Sequence, residues 1–237
     1  MCTVTLTPIP GEKQGFILTS NRDEAANREA ISPDFYMEKG VKMLYPKDKV
    51  AGGTWIGISD KNRLICLLNG EFKPHIRKAS YRLSRGVVVK NLLEAISIDE
   101  AVEHYNFINI EPFTIVVVDW SSGLRFLELV WDGNVKHFKN LDLKPHIWSS
   151  SPLYSSEMKK MRETWFQEFQ QKNIIDAKSL WNFHSSAGIG DANIDVIMDR
   201  GFVKTQNISQ IEKKSEEIKM RFMDLKDRNK IEIDYLR

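Results

Sequence analysis

The chain has 237 residues, 42% of them hydrophobic and 28% charged, and a formal net charge of only +2. That length buries a core without staples, and the charge is too weakly basic, with no basic stripe, to argue for a nucleic-acid partner. Two cysteines, Cys2 and Cys66, exclude a disulfide framework and fit a reducing compartment, while the lack of an apolar run near roughly 18 residues and of a signal-peptide pattern predicts a cytoplasmic protein without a membrane span.

Strand signals open the chain. Thr3 to Thr7 alternates strictly, so Cys2, Val4 and Leu6 share one face. A turn follows over Pro8 to Lys13, and Gly15 to Thr19 reads as a second, more buried strand. A second hairpin is predicted from Thr54–Ile58, the turn Asp60–Asn62 and Leu64–Leu68. Residues 80–95 and 98–105 read as helices, with Ser97 or Asp99 near an N-cap. Phe113 to Asp119 is a β-branched run that turns at Ser121-Ser122-Gly123 into Leu124–Trp131, and Asp132-Gly133-Asn134 signals another hairpin. Ser156 to Lys172 is an amphipathic helix on which Met158, Met161, Trp165, Phe166 and Phe169 recur at helical spacing, and a shorter helix covers Ala177 to Phe183. Strands around Ile208–Ile211 and Ile218–Leu225 close the chain, with a solvated turn at Glu212–Glu217 between them. Strands at both ends with helices concentrated between them predict an α+β fold, whose layering periodicity alone does not choose.

Cys2 is the most informative residue. Aminopeptidases remove an initiator Met that precedes a small residue, and the product carries a thiol and a free α-amine together. An α-amine has a reference pKa of about 7.7–8.0, so it is suited to take the thiol's proton and later protonate a leaving amine. If the first turn centres near Gly11–Glu12, antiparallel arithmetic brings Asn21, Arg22 and Asp23 beside Cys2. Asp23 is then placed to orient the α-ammonium, and Arg22 to lower the thiol pKa or hold a substrate carboxylate. Asn69, opposite Gly53 in the second hairpin, is a candidate oxyanion donor. Cys66, inside an apolar strand, reads as a buried small hydrophobe. The five histidines, His75, His104, His137, His146 and His184, have no metal-ligand spacing, and no Cys-x-x-Cys or phosphate-binding glycine loop exists, so no metal or cofactor is expected.

These residues also resemble a known family. Met1-Cys2-Thr3, Ser20-Asn21-Arg22-Asp23-Glu24, Gly52-Gly53-Thr54-Trp55-Ile56-Gly57 and Ser84-Arg85-Gly86 are similar to the signatures of the NRDE family, also called the transport and Golgi organisation protein 2 family. Leu68-Asn69 stands where that family has Thr-Asn, and Pro145 to Phe166, with Trp148-Ser149-Ser150-Ser151, resembles a bacterial branch. The resemblance implies a single domain over residues 1–237 with a four-layer αββα sandwich, two antiparallel sheets between helices, as in N-terminal-nucleophile hydrolases such as penicillin acylase, bile salt hydrolase and acid ceramidase. It carries catalytic roles over to Cys2, Arg22 and Asp23; Asn69 is expected to join them as oxyanion donor, and Asn21, Trp55 and Ser150 are expected to bind substrate. Two departures stand out: Ser150 where hydrolase relatives place an oxyanion-hole Asn, and Thr205-Gln206-Asn207-Ile208-Ser209 against Thr-Arg-Ser-Ser-Thr, so that Gln206 takes the place of Arg.

The expected function is a Cys-type N-terminal-nucleophile hydrolase acting on a non-peptide C–N amide bond of a small acylated substrate. The competing expectation is a non-catalytic binder or carrier of haem or another amphipathic metabolite, since eukaryotic relatives are linked to haem handling and lipid metabolism.

Overall fold

The computed structural model describes residues 2–235, Cys2 by its backbone alone. The strands are β1 (Cys2–Pro8), β2 (Phe16–Ala25), β3 (Ala30–Glu38), β4 (Val41–Asp48), β5 (Ile56–Ser59), β6 (Arg63–Asn69), β7 (Phe113–Asp119), β8 (Arg125–Trp131), β9 (Lys136–Leu141), β10 (His146–Ser149), β11 (Val203–Lys214), β12 (Glu217–Asp224) and β13 (Lys230–Asp234). The helices are α1 (Arg85–Glu94), α2 (Ile98–His104), α3 (Ser156–Lys172) and α4 (Ala177–Ser186). All strand pairs in the two sheets are antiparallel, which makes the protein α+β. The chain divides into two compact units.

The first unit is built from the two ends of the chain, up to Arg28 and from Lys144 onward. Its sheet runs β10-β1-β2-β11-β12-β13. Gly11, at φ +82°, makes the turn that folds β2 back onto β1. Ser155 caps α3 by accepting the Met158 N–H, and Asp176 with Ser179 forms a capping box on α4. The apolar stripe of α3 behaves as its spacing predicts: Phe166 packs with Leu180 and Phe183 of α4, Ile17 of β2 and Val196. Each such side chain contributes roughly 1.5–3 kcal/mol by leaving water.

The second unit, residues 29–143, is a meander in sequence order from β3 to β9. Its α1 buries Val88, Val89, Leu92 and Leu93. Gly53 and Gly86 are required here by close approach: a Cβ on Gly53 would lie 2.8 Å from the Gly86 carbonyl carbon. The motif glycines therefore let the loop before β5 meet the start of α1 backbone to backbone. That helix begins at Arg85 rather than residue 80, because the preceding residues pair elsewhere: Arg82 N–H donates to the Asn109 carbonyl, and Leu83 bridges Ile110. Arg63 of β6 is fully buried, donating from Nε to Asp119 at 2.9 Å and from Nη1 to the carbonyls of Leu92 and Ala95 at 2.9 and 2.6 Å. It supplies the cation that the last turn of α1 lacks.

Strands β3, β4, β10 and β13 go beyond the elements expected from sequence. Pro33 and Pro46 interrupt the first two, and β3 is an edge strand whose exposed residues lack a clean alternation.

Replacing Arg63 by Ala should cost about 3–5 kcal/mol, because it strands the buried Asp119 carboxylate and uncaps α1. Urea unfolding of the variant measures this; a loss within about 1 kcal/mol, the range of an exposed ion pair, would contradict it.

Candidate active site

In the β1–β2 ladder Cys2 stands opposite Arg22, Thr3 opposite Asn21 and Val4 opposite Ser20. On the other side of β2, β11 sets Asn207 opposite Arg22 and Ser209 opposite Ser20. The turn arithmetic expected residues 21 to 23 beside Cys2, and the ladder selects Arg22. Opposed residues of an antiparallel pair share a face and successive residues alternate. Arg22, Asn207, Ser20 and Ser209 therefore lie on one face of the sheet, and Thr3, Asn21, Asp23 and Thr205 on the other. Beyond β1, Thr3 faces Ser149, so Ser150 comes next in line beside the Cys2 position. The Cys2 thiol, its α-amine and the removal of Met1 lie outside the described residues.

The Arg22 face is buried and polar. Arg22 is 3% exposed and donates from Nη1 to the Arg28 carbonyl at 2.9 Å. Asn207 is fully buried, and among the described residues neither its Nδ2 nor its Oδ1 has a hydrogen-bond partner. The same holds for the hydroxyls of Ser20, Ser209 and Ser150. A buried donor or acceptor left unmade costs about 1–3 kcal/mol, and such concentrations are characteristic of functional sites. Gln206 does not belong to this row. A bulge between Thr205 and Asn207 takes it out of register, and its Nε2 donates to the Ala25 and Glu24 carbonyls at 3.0 and 3.4 Å. Asn207, not Gln206, stands opposite Arg22, because the bulge shifts the strand by one residue.

On the opposite face the polar groups around Asp23 are paired. Tyr154 donates to Asp23 Oδ2 at 2.5 Å and Thr205 to Oδ1 at 2.7 Å, while the Thr205 oxygen accepts the Met198 N–H at 2.9 Å. The Arg162 guanidinium lies 3.7 Å over the Tyr154 ring and donates to Thr3, Ile194 and Asp195. Burial pushes the Asp23 carboxyl up from its ordinary value, opposed by Tyr154, the Arg162 charge and Thr205. Asn21 donates to the His184 and Val196 carbonyls at 2.9 and 3.0 Å and accepts from His184 Nδ1. Its side-chain amide ties α4 and Val196 to the sheet. His184 Nε2 in turn accepts from Thr5 at 2.8 Å. Both ring nitrogens are engaged by a neutral imidazole, and burial followed by the Arg162 charge pushes the His184 pKa down to about 3.

Sequence reasoning missed Tyr154, Arg162 and His184. One signal was present: Arg162 interrupts the apolar stripe of α3 and is fully buried there. Asn69 and Trp55 belong to the second unit. Asn69 ends β6 opposite Phe113 and is half-buried. Trp55 is buried, its carbonyl accepting the Leu67 N–H at 2.7 Å. Among the described residues no three or more His, Cys, Asp or Glu are gathered so as to hold a metal ion, and no helix is long and apolar enough to cross a membrane.

The His184 environment gives a pH prediction. The unfolded chain takes its proton near 6.5 and the folded chain only near pH 3, so this contribution is complete above pH 6.5 and is lost as pH falls between those values. In urea titrations at stepped pH, His184→Gln should lose less stability on acidification than wild type, the two slopes differing by up to about 1.4 kcal/mol per pH unit. Parallel slopes would show that His184 is protonated in the folded protein.

Residues 1–228 match the family described as Transport and Golgi organisation 2. No curated protein sequence matches the chain. Among solved structures it is similar to a conjugated bile acid hydrolase from Clostridium perfringens, with a TM-score of 0.59, 11% identity, and 98% of this chain and 92% of that one covered. Penicillin V acylase from Agrobacterium tumefaciens gives a TM-score of 0.53 at 14% identity, covering 98% and 86%. The Caenorhabditis elegans orthologue of N-acylethanolamine-hydrolyzing acid amidase gives 0.57 at 10%, covering 89% and 92%. The fold is that of N-terminal-nucleophile hydrolases.

Proposed function

The chain belongs to the Transport and Golgi organisation 2 family, and on that premise we propose that it is a Cys-type N-terminal-nucleophile hydrolase cleaving a non-peptide amide bond of a small acylated substrate. The observation that carries the reading is the buried polar row at the Cys2 position: Arg22 and the unpartnered Asn207 amide on one side, the unpartnered Ser150 hydroxyl on the other. A fold shared with acylases and amidases supports the reaction class.

In this mechanism Met1 is removed and the Cys2 α-amine takes the thiol proton. The thiolate attacks the acyl carbon, forming a C–S bond. Collapse of the tetrahedral adduct breaks the C–N bond, and the α-ammonium returns the proton to the leaving amine. Water then hydrolyses the thioester, releasing a carboxylate and restoring the thiol. Arg22 favours the thiolate by its charge. Asn207 and Ser150 supply hydrogen bonds to the oxyanion, so the buried polar atoms gain partners only as the reaction proceeds. Asp23, held by Tyr154 and Thr205, retains lone pairs for the α-ammonium. Haem carriage gains no comparable support: His184, the fully buried histidine, has both ring nitrogens engaged.

A panel of N-acyl amides incubated with mature protein should reveal hydrolysis that is absent in Cys2→Ala. Asn207→Ala should lower kcat by roughly 10²–10³ with KM little changed, the loss of one oxyanion donor. Activity that survives Cys2→Ala, or a panel left wholly intact, would contradict the reading.

A further inference from the structure

The chain's weak net charge of +2 conceals a local excess in the second unit. Between β6 and α1, residues 70–84 form no helix or strand. Irregular segments of about this length inside a compact fold are uncommon and often functional. Residues 71–85 carry five cations, Lys73, Arg77, Lys78, Arg82 and Arg85, against one acid, Glu71. A second acid, Glu111, is packed against the segment and is shared by three of its basic groups: Arg85 Nη2 lies at 3.1 Å, and His75 Nε2 and Arg77 Nε at 3.5 Å.

Lys73 and Lys78 are exposed, and neither ammonium forms a hydrogen bond or ion pair among the described residues. The Arg82 guanidinium donates to the backbone carbonyls of Ile108 and Asn106, neutral partners that leave its charge uncompensated. Apolar side chains stand among these cations. Ile76, between His75 and Arg77, is 96% exposed, Ile108 73% and Phe72 56%. Contacts join them into one face. Arg82 holds the Ile108 carbonyl, Ile108 and Val135 line one cavity, and the Phe72 ring meets His137, two residues from Val135, edge-on at 5.2 Å. The acid on that side, Asp132, is engaged by His137 and by the N–H groups of Asn134 and Val135. Large apolar side chains exposed together gain from being covered.

We propose that this face docks on an anionic lipid surface, with Phe72 and Ile76 entering the headgroup boundary and Lys73, Arg77, Lys78 and Arg82 against the lipid phosphates and carboxylates. Charge complementarity selects a negative partner. The scattered apolar side chains select one that covers them without a matching groove, as the acyl boundary of a bilayer does. A polyanion without hydrocarbon neutralises the cations but leaves Ile76 and Ile108 in water. The contact is peripheral, because side chains on a loop reach the interface and do not span it. The inference does not rest on the amidase reading.

The test is cosedimentation of the full-length protein with vesicles of phosphatidylcholine alone and of phosphatidylcholine and phosphatidylserine in equal parts. Binding to the mixed vesicles should be at least about tenfold stronger and should weaken as salt is raised. A basic residue near such a surface contributes about fivefold to partitioning, so Lys73→Gln combined with Lys78→Gln should weaken binding roughly twentyfold. Ile76→Asn should weaken it about fivefold or more by removing the inserted side chain. The same change of charge made in the first unit, Lys160→Gln with Lys178→Gln, should alter binding by less than about twofold. All five side chains are exposed, and circular dichroism checks that each variant is folded. Absent binding, equal binding to the two kinds of vesicle, or affinity unchanged in the folded Lys73 and Lys78 variant would each overturn the proposal. Polyglutamate bound as tightly as the mixed vesicles, with Ile76→Asn without effect, would assign the face to an acidic protein segment and overturn it as well.

Discussion

The pairing of β1 with β2, Cys2 opposite Arg22, is the constraint on which the candidate site depends. The side-chain period of a strand is two, so a slip of one residue would exchange the two faces of β2. Arg22 would then leave the face of Asn207 and Ser209, and Asp23 would leave Tyr154 and Thr205. The register is held from several directions: Gly11 sets the turn, Val4, Leu6, Phe16 and Leu18 are fully buried, and hydrogen bonds fix Asn21 and Asp23 to α4 and β11.

The two faces of this strand pair serve different ends. On one, nearly every polar group is satisfied: Asp23, Tyr154, Thr205, Arg162, Asn21 and His184 form a buried network tying α3, α4 and the segment Ile194–Met198 to the sheet. Such networks rigidify when complete. On the other, polar side chains remain unsatisfied beside the Cys2 position. A rigid support behind an unsatisfied row is the arrangement expected where hydrogen bonds are reserved for a reacting ligand, since donors fixed in advance need no reorganisation in the transition state.

Much of this was legible in the sequence, and the reasons differ by element. The first hairpin followed from strict alternation around a Pro-Gly turn, and α3 from its helical stripe, to the residue at both ends. The closeness of Arg22 to the Cys2 position was legible because a hairpin relates positions close in sequence. Strands β3 and β4 were missed because prolines and charges obscure their pattern. Tyr154 and His184 were invisible because their partners Asp23 and Asn21 lie 131 and 163 residues away. The β11 bulge was hidden for a subtler reason: nothing in Thr205-Gln206-Asn207 says which residue drops out of register, and only the ladder shows that Asn207 faces Arg22.

The central claim is that an N-terminal Cys2 acts as nucleophile beside Arg22 and Asn207. It is tested most directly by acid-quenching the protein during turnover of an N-acyl amide and mapping the covalent adduct by intact and peptide mass spectrometry. The account predicts Met1 absent and one acyl group on the Cys2 sulfur as a thioester, with Cys66 unmodified. Turnover by protein that retains Met1, or an acyl group carried elsewhere than on Cys2, would contradict it.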